Sequence, residues 1–120
     1  MKKALLVCLA LAFPMVVQAT AVCVGDDGGD KDVEKPTPTA GMFIVNGFTM
    51  KCSKNVFLNY EQNSTTVAVG AASKKGLNQF SGSSAGGQVK PTQTKCANTG
   101  CVATDASGPA TAALSAASST

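Results

Sequence analysis

The chain has 120 residues, a formal net charge of +3, and neither histidine nor arginine. This removes the commonest general base and metal ligand, along with the side chain best suited to bidentate phosphate recognition, and argues against most enzymes. Discounting Lys2 and Lys3, which fall in the leader described next, leaves about +1, which gives no basis for a polyanion such as nucleic acid as partner.

Residues 1–19 have the three parts of a secretory signal: basic Lys2 and Lys3, an apolar run over 4–17, and small residues where cleavage would fall. Val17-Gln18-Ala19 permits a cut after Ala19, and Ala19-Thr20-Ala21 permits one after Ala21. Interrupted by Pro14, the apolar run is short of the ~20 residues that span a bilayer, and no further membrane segment follows. Both Cys8 and Cys23 follow a valine rather than a small residue, which disfavours lipid attachment. The expected location is periplasmic or extracellular.

Residues 22–40 form an acidic, proline-containing linker. Asp26, Asp27, Asp30, Asp32 and Glu34 outweigh Lys31 and Lys35, Gly28 and Gly29 loosen the backbone, and Pro36-Thr37-Pro38 favours an extended, unpaired conformation. A disordered arm is expected. Calcium is the competing use of these carboxylates, but counted from Asp26 the loop spacing fails, and Thr37 stands where a closing glutamate belongs.

Residues 41–101 carry the β-rich domain. Asn46-Gly47 between residues 42–45 and 48–51 predicts a type I′ hairpin, the alternative being one long strand with a bulge at the glycine. Residues 55–61 alternate, with Val56, Leu58 and Tyr60 expected on a core face and Phe57, Asn59 and Glu61 on a solvent face. Residues 65–72 repeat the period, Val67, Val69 and Ala71 being apolar, so the two runs read as an antiparallel hairpin. The Asn63-Ser64-Thr65 glycosylation triplet at its tip is read as a chance match, since the leader suits a bacterial protein equally well. A turn at residues 73–76, Phe80 over the open side of the sheet, a flexible loop at 81–87 and a weak strand at 88–90 complete the reading.

With Cys8 removed in the leader, Cys23, Cys52, Cys96 and Cys101 remain, an even number in an exported chain, which implies disulfides. The short Asn-Thr-Gly turn between Cys96 and Cys101 favours a local bridge, leaving Cys23 to pair with Cys52. The spacing does not match paired zinc knuckles. Residues 102–120, rich in Ala, Ser and Thr with a Gly108-Pro109 break and a single leucine, are expected to be disordered. The fold class is thus mostly β: a disulfide-stapled antiparallel sheet of about four to six short strands between a disordered acidic arm and a disordered tail.

No nucleophile and base can be placed together, and no cofactor is implied. The leading expectation is a small exported non-enzymatic interaction protein, such as an accessory subunit of a bacterial envelope, secretion or surface assembly, with a protein partner. Phe57, Lys74 and Lys75 are its expected contact surface, through strand addition at a sheet edge or through the tail. The alternative is a small-ligand or ion-binding module using the acidic arm or Lys74, Lys75, Lys90 and Lys95. The intact mass of the exported form should correspond to a chain beginning at Thr20 or Val22; a mass retaining Met1, or an acyl group on Cys23, would overturn the cleaved-leader reading.

Overall fold

The computed structural model describes residues 19–34, 41–86 and 88–119; residues 1–18 of the leader, residues 35–40 of the linker and residues 87 and 120 lie outside this set. Seven strands and one helix follow in order: β1 (Thr20–Val24), β2 (Gly29–Val33), β3 (Phe48–Cys52), β4 (Val56–Gln62), β5 (Val67–Ser73), β6 (Asn78–Ser83), β7 (Lys90–Lys95) and α1 (Thr104–Ser118). Five strands form an antiparallel sheet in the order β1-β4-β5-β6-β7, and β2 and β3 form a second, two-stranded antiparallel sheet. The mostly β, antiparallel, disulfide-stapled architecture is as expected. The strand number exceeds expectation because two strands come from the supposed linker.

The alternation over 55–61 and 65–72 does produce a hairpin, with Val56 opposite Ser73 and Gln62 opposite Val67. Its tip is closed by Asn63, whose Oδ1 accepts from the Thr65 and Thr66 amides at 2.9 and 2.8 Å. The same side chain donates from Nδ2 to Ser118 Oγ at the far end of α1, at 3.1 Å, so the triplet asparagine is engaged in holding the fold.

The tail expected to be disordered is a 15-residue helix packed on this sheet. Ala106, Ala110 and Leu114, four residues apart, make one buried stripe. They meet Gly70 in β5, where a Cβ would run into the Ala106 carbonyl oxygen and the Ala110 amide nitrogen. Ala68 and Ala72 flank that glycine on the same face, so the helix approaches the strand closely along small side chains. Pro109 deprives the helix of one backbone hydrogen bond, and its burial against the sheet offsets part of that loss. Near the N-terminus Asp105 accepts from the Val102 amide through Oδ2 and from Gln79 Nε2 through Oδ1, both at 2.8 Å, which fastens the helix to β6.

Helix docking reverses the expected faces. Phe57, Asn59 and Glu61 are the buried residues of β4, while Val56, Leu58 and Tyr60 are half-buried on the opposite side, and Val67 and Val69 of β5 likewise. The periodicity was legible, but which face is covered depends on where α1 lands, and α1 needs the glycine and alanines of β5. Glu61 is 4% exposed, with one carboxylate oxygen, Oε2, lacking a partner among the described residues.

The Asn46-Gly47 hairpin does not form, and neither residue adopts a left-handed conformation. Residues 42–47 lie outside the strands; the Phe43 amide donates to Asn63 O at 2.9 Å and the Ile44 amide to Gln62 Oε1 at 2.7 Å. In place of that hairpin β3 pairs with β2 of the acidic arm, Asp30 opposite Lys51 and Asp32 opposite Thr49, with Thr49 Oγ1 donating to Asp32 at 2.6 Å. The other correction to the arm is β1, paired with β4 and bulged between Ala21 and Cys23. The loop expected over 81–87 is shorter, because Ser81 and Ser83 belong to β6, and β7 extends the weak strand to Lys95.

Both expected disulfides are present, Cys23–Cys52 and Cys96–Cys101. The first joins β1 to β3 and so the two sheets, at the centre of a cluster with Val22 and Val33, against which Met50, Leu58 and Tyr60 pack. The second braces the β5–β6 turn: Cys96 donates its amide to Leu77 O at 2.9 Å, and a Cβ at Gly100 would strike Lys74 O. Loop-closure entropy assigns roughly 3.5 kcal/mol to a bridge between residues 29 apart and roughly 2 kcal/mol to one between residues 5 apart. Cys23→Ala/Cys52→Ala should therefore lower stability in urea more than Cys96→Ala/Cys101→Ala; the reverse order would mean that strand pairing, rather than the staple, holds β2 and β3 in place.

Candidate interaction surface

The five-stranded sheet has one face under α1 and one that is only partly covered. Cross-strand register lays out the second face as rows. Leu58 lies opposite Ala71, Ala71 opposite Phe80, and Phe80 opposite Pro91. Beside this row Tyr60 lies opposite Val69 and Val69 opposite Gly82, where a Cβ would come within 3.0 Å of Val89 Cγ2. The β2–β3 sheet packs on Leu58 and Tyr60. Towards β7 the cover ends, leaving Val67, Val69 and Ala71 half-buried, Phe80 38% exposed and Val89 64% exposed. Gly82 keeps this part of the sheet low and smooth.

A second apolar group stands at one end of this face. The loop before β3 starts at the β4–β5 tip, where the Phe43 and Ile44 amides bond to Asn63 and Gln62, and Phe43, Val45 and Phe48 are 45, 49 and 49% exposed. Asp32, exposed, pairs with Thr49 and so stands on the opposite face of the two-stranded sheet from Val33 and Phe48, and Glu34, also exposed, follows β2.

The opposite end of the face is basic. Lys74 and Lys75 occupy the β5–β6 turn, exposed, where the sequence placed them, and Lys95 joins them because Asn78 pairs with it across the β6–β7 ladder. Lys90 does not belong to this group: it pairs with Ser81 on the helix side and lines a groove of about 380 Å³ with Ser83, Gln88, Ala113 and Ala116. The four lysines expected to act as one set are therefore divided between the two faces. Phe57 is also removed from the contact surface. It is 8% exposed, on the helix side, with its ring against Gly25. Phe80 and Val89 take its place; the alternating Leu58–Tyr60 pattern could have pointed to their face only if α1 had been anticipated.

Three of the arm's carboxylates are already matched within the chain. Asp26 pairs with Lys31 at 2.7 Å, Asp27 with Lys54 at 3.0 Å and Asp30 with Lys51 at 3.9 Å. The hydrogen bond from Lys31, aided by one from the Gly28 amide at 2.9 Å, holds the Asp26 carboxyl below the usual carboxylate range. The arm's acidity thus serves strand pairing, and this weighs against the ion-binding alternative. Among the described residues Cys96, Cys101 and Asp105 come close together, but both sulfurs are spent in their disulfide and the carboxylate in holding Val102 and Gln79.

The chain matches no protein-family model, no curated protein and no solved structure.

Phe57→Ala should lower unfolding stability by about 3 kcal/mol or more, as for a buried aromatic, whereas Phe80→Ser should change it by no more than about 0.5 kcal/mol. Urea denaturation of the two variants decides this: similar losses would mean that the β5–β7 face is covered in the folded chain.

Proposed function

We propose that the protein is a small exported non-enzymatic interaction protein, an accessory subunit of a bacterial envelope, secretion or surface assembly. The observation that carries this reading is the uncovered apolar face of the sheet, Val69, Ala71, Phe80, Val89 and Pro91, on a domain held rigid by two disulfides. Such a face gains about 25 cal/mol for each Å² of apolar surface that a partner removes from water. A preformed sheet held by covalent bridges loses little conformational entropy on docking, so most of that gain is retained.

The sequence supports the non-enzymatic part. With no histidine in the chain, Glu61 is the one carboxylate buried by the fold, and it lies between β4 and α1, away from the open face. The leader and the even cysteine count support export. The proposed contact is with the face rather than with the β7 edge, because β7 carries Lys90, Pro91 and Lys95, residue types that disfavour pairing with a further strand.

A photo-crosslinking residue at position 80, in cells that make and export the chain, should give a discrete protein adduct. The same residue at Ala112, exposed on α1, should not. Equal yields from the two positions, or none from position 80, would overturn the reading.

A further inference from the structure

Glu61 is the carboxylate that the fold buries without matching it. It lies under α1, 4% exposed, and its Oε2 has no partner among the described residues. A carboxylate withdrawn this far from water is normally paired with a cation. No side-chain cation is supplied by the elements around it: β1, β4, β5, β6 and α1 contain neither lysine nor arginine, and the ion pairs among the described residues are made elsewhere, by Asp26, Asp27 and Asp30. Two further features of the same corner favour positive charge. The C-terminal end of α1 comes down beside it, since Ser118 Oγ accepts from Asn63 Nδ2 at 3.1 Å and Asn63 follows Glu61 by two residues. Aligned peptide dipoles make that end of the helix electronegative, and its last turn carries no basic residue. β1 also begins there. Thr20 pairs with Tyr60 across the antiparallel ladder, so the chain just before Thr20, at half-buried Ala19, runs past Glu61 at the ~4.8 Å spacing of neighbouring strands.

We propose that Glu61 is the receiving site for the α-ammonium group created when the leader is cut after Ala19. Hydrolysis of the Ala19–Thr20 peptide bond consumes one water: the new carboxylate on Ala19 departs with the leader, and the Thr20 nitrogen, until then an amide, becomes a protonated amine. At Glu61 the cut has two consequences. It takes Ala19 away from the side of the buried carboxylate, and it leaves a cation with three N–H donors in that place, one of which donates to Oε2. Before the cut the same nitrogen is neutral and Glu61 stays unmatched, so removal of the leader stabilises the folded domain through its own new end. The inference goes beyond the interaction reading but rests on the export part of it, and it commits to the first of the two cleavage points. A chain beginning at Val22 would carry its ammonium within the β1 bulge, beyond Asn59 and away from Glu61.

The test starts from the intact mass of the oxidised, exported chain, which should begin at Thr20. Urea denaturation then compares this chain with one in which Thr-Gly is inserted between Ala19 and Thr20, so that the cut leaves the ammonium about 7 Å further along the strand direction. Each is made with and without Glu61→Gln. The insertion should lower the folding equilibrium constant at least about tenfold in the natural chain and leave it unchanged in Glu61→Gln, because only the former loses a partner for a buried charge. Glu61→Gln should likewise cost at least about tenfold in the chain beginning at Thr20 and nothing in the extended chain, where it removes a charge that is already unmatched. Equal effects of Glu61→Gln in the two chains would mean that the glutamate acts without the amine, and would overturn the proposal. Should Glu61→Gln fail to fold, acylation of the terminal amine by a water-soluble active ester decides the matter in the natural side-chain background. The amine should react at least about tenfold more slowly in the chain beginning at Thr20 than in the extended chain, both of which end in threonine; equal rates overturn the proposal. A mass beginning at Val22 overturns it and leaves the export reading standing, whereas a mass retaining Met1 overturns both.

Discussion

The close approach of α1 to Gly70 is the contact on which the rest of the arrangement depends. A helix that carries Ala106, Ala110 and Leu114 as its buried stripe has little apolar surface, and can be held only where a strand lets its backbone come near. Gly70 between Ala68 and Ala72 is such a place. Once α1 sits there, the polar alternate residues of the hairpin are shut in beneath it and the valines, with Phe80, are turned outward. Gln79 is satisfied by Asp105, whereas Glu61 keeps an unpartnered oxygen, a desolvation penalty that a core this small does not easily absorb. The disulfides matter more for that reason.

The Cys23–Cys52 bridge has a second effect. Composition alone implies a solvated acidic chain for the segment around Asp26 to Glu34. Tied at Cys23, and again at Cys52 on β3, it lies beside a strand bearing Lys51 and preceding Lys54, and its own carboxylates then make the cross-strand pairs. Exposed ion pairs of this kind contribute only tenths of a kcal/mol each, so they select the register after the bridge has already limited the conformations available. The Asn46-Gly47 turn loses to this pairing, and its residues become the apolar loop at the end of the open face.

The same two constraints account for the character of the surface. Valines and phenylalanine that a conventional sandwich would bury are left outside because the single helix covers the other side. Lys74 and Lys75 stand exposed at the β5–β6 turn, whereas the carboxylates of the arm are interleaved with Lys31, Lys51 and Lys54.

Much of this was legible in the amino-acid order. The disulfide pairing, the β4–β5 hairpin, the turn at Lys74 and Lys75 and the mostly β class all follow from local signals: cysteine spacing, period-two alternation and turn residues. What could not be read locally was which face of the alternation is buried, since a period of two is the same from either side and the deciding contact lies between Gly70 and a helix more than thirty residues later. Disorder was the wrong reading of residues 104–118 because one leucine cannot stabilise a free helix, while alanines can pack a docked one against glycine. The acidic arm was misread for a related reason: its partner strand is brought to it by a covalent bridge, and composition carries no trace of the neighbour a bridge supplies. The sequence by itself determined the period of β4 and β5, the turn at Lys74 and Lys75 and the staples; only the tertiary structure decided the covered face, the strand pairing of residues 20–33, the docking of residues 104–118 and therefore the exposure of Phe80 in place of Phe57, because each depends on long-range packing that no local pattern encodes.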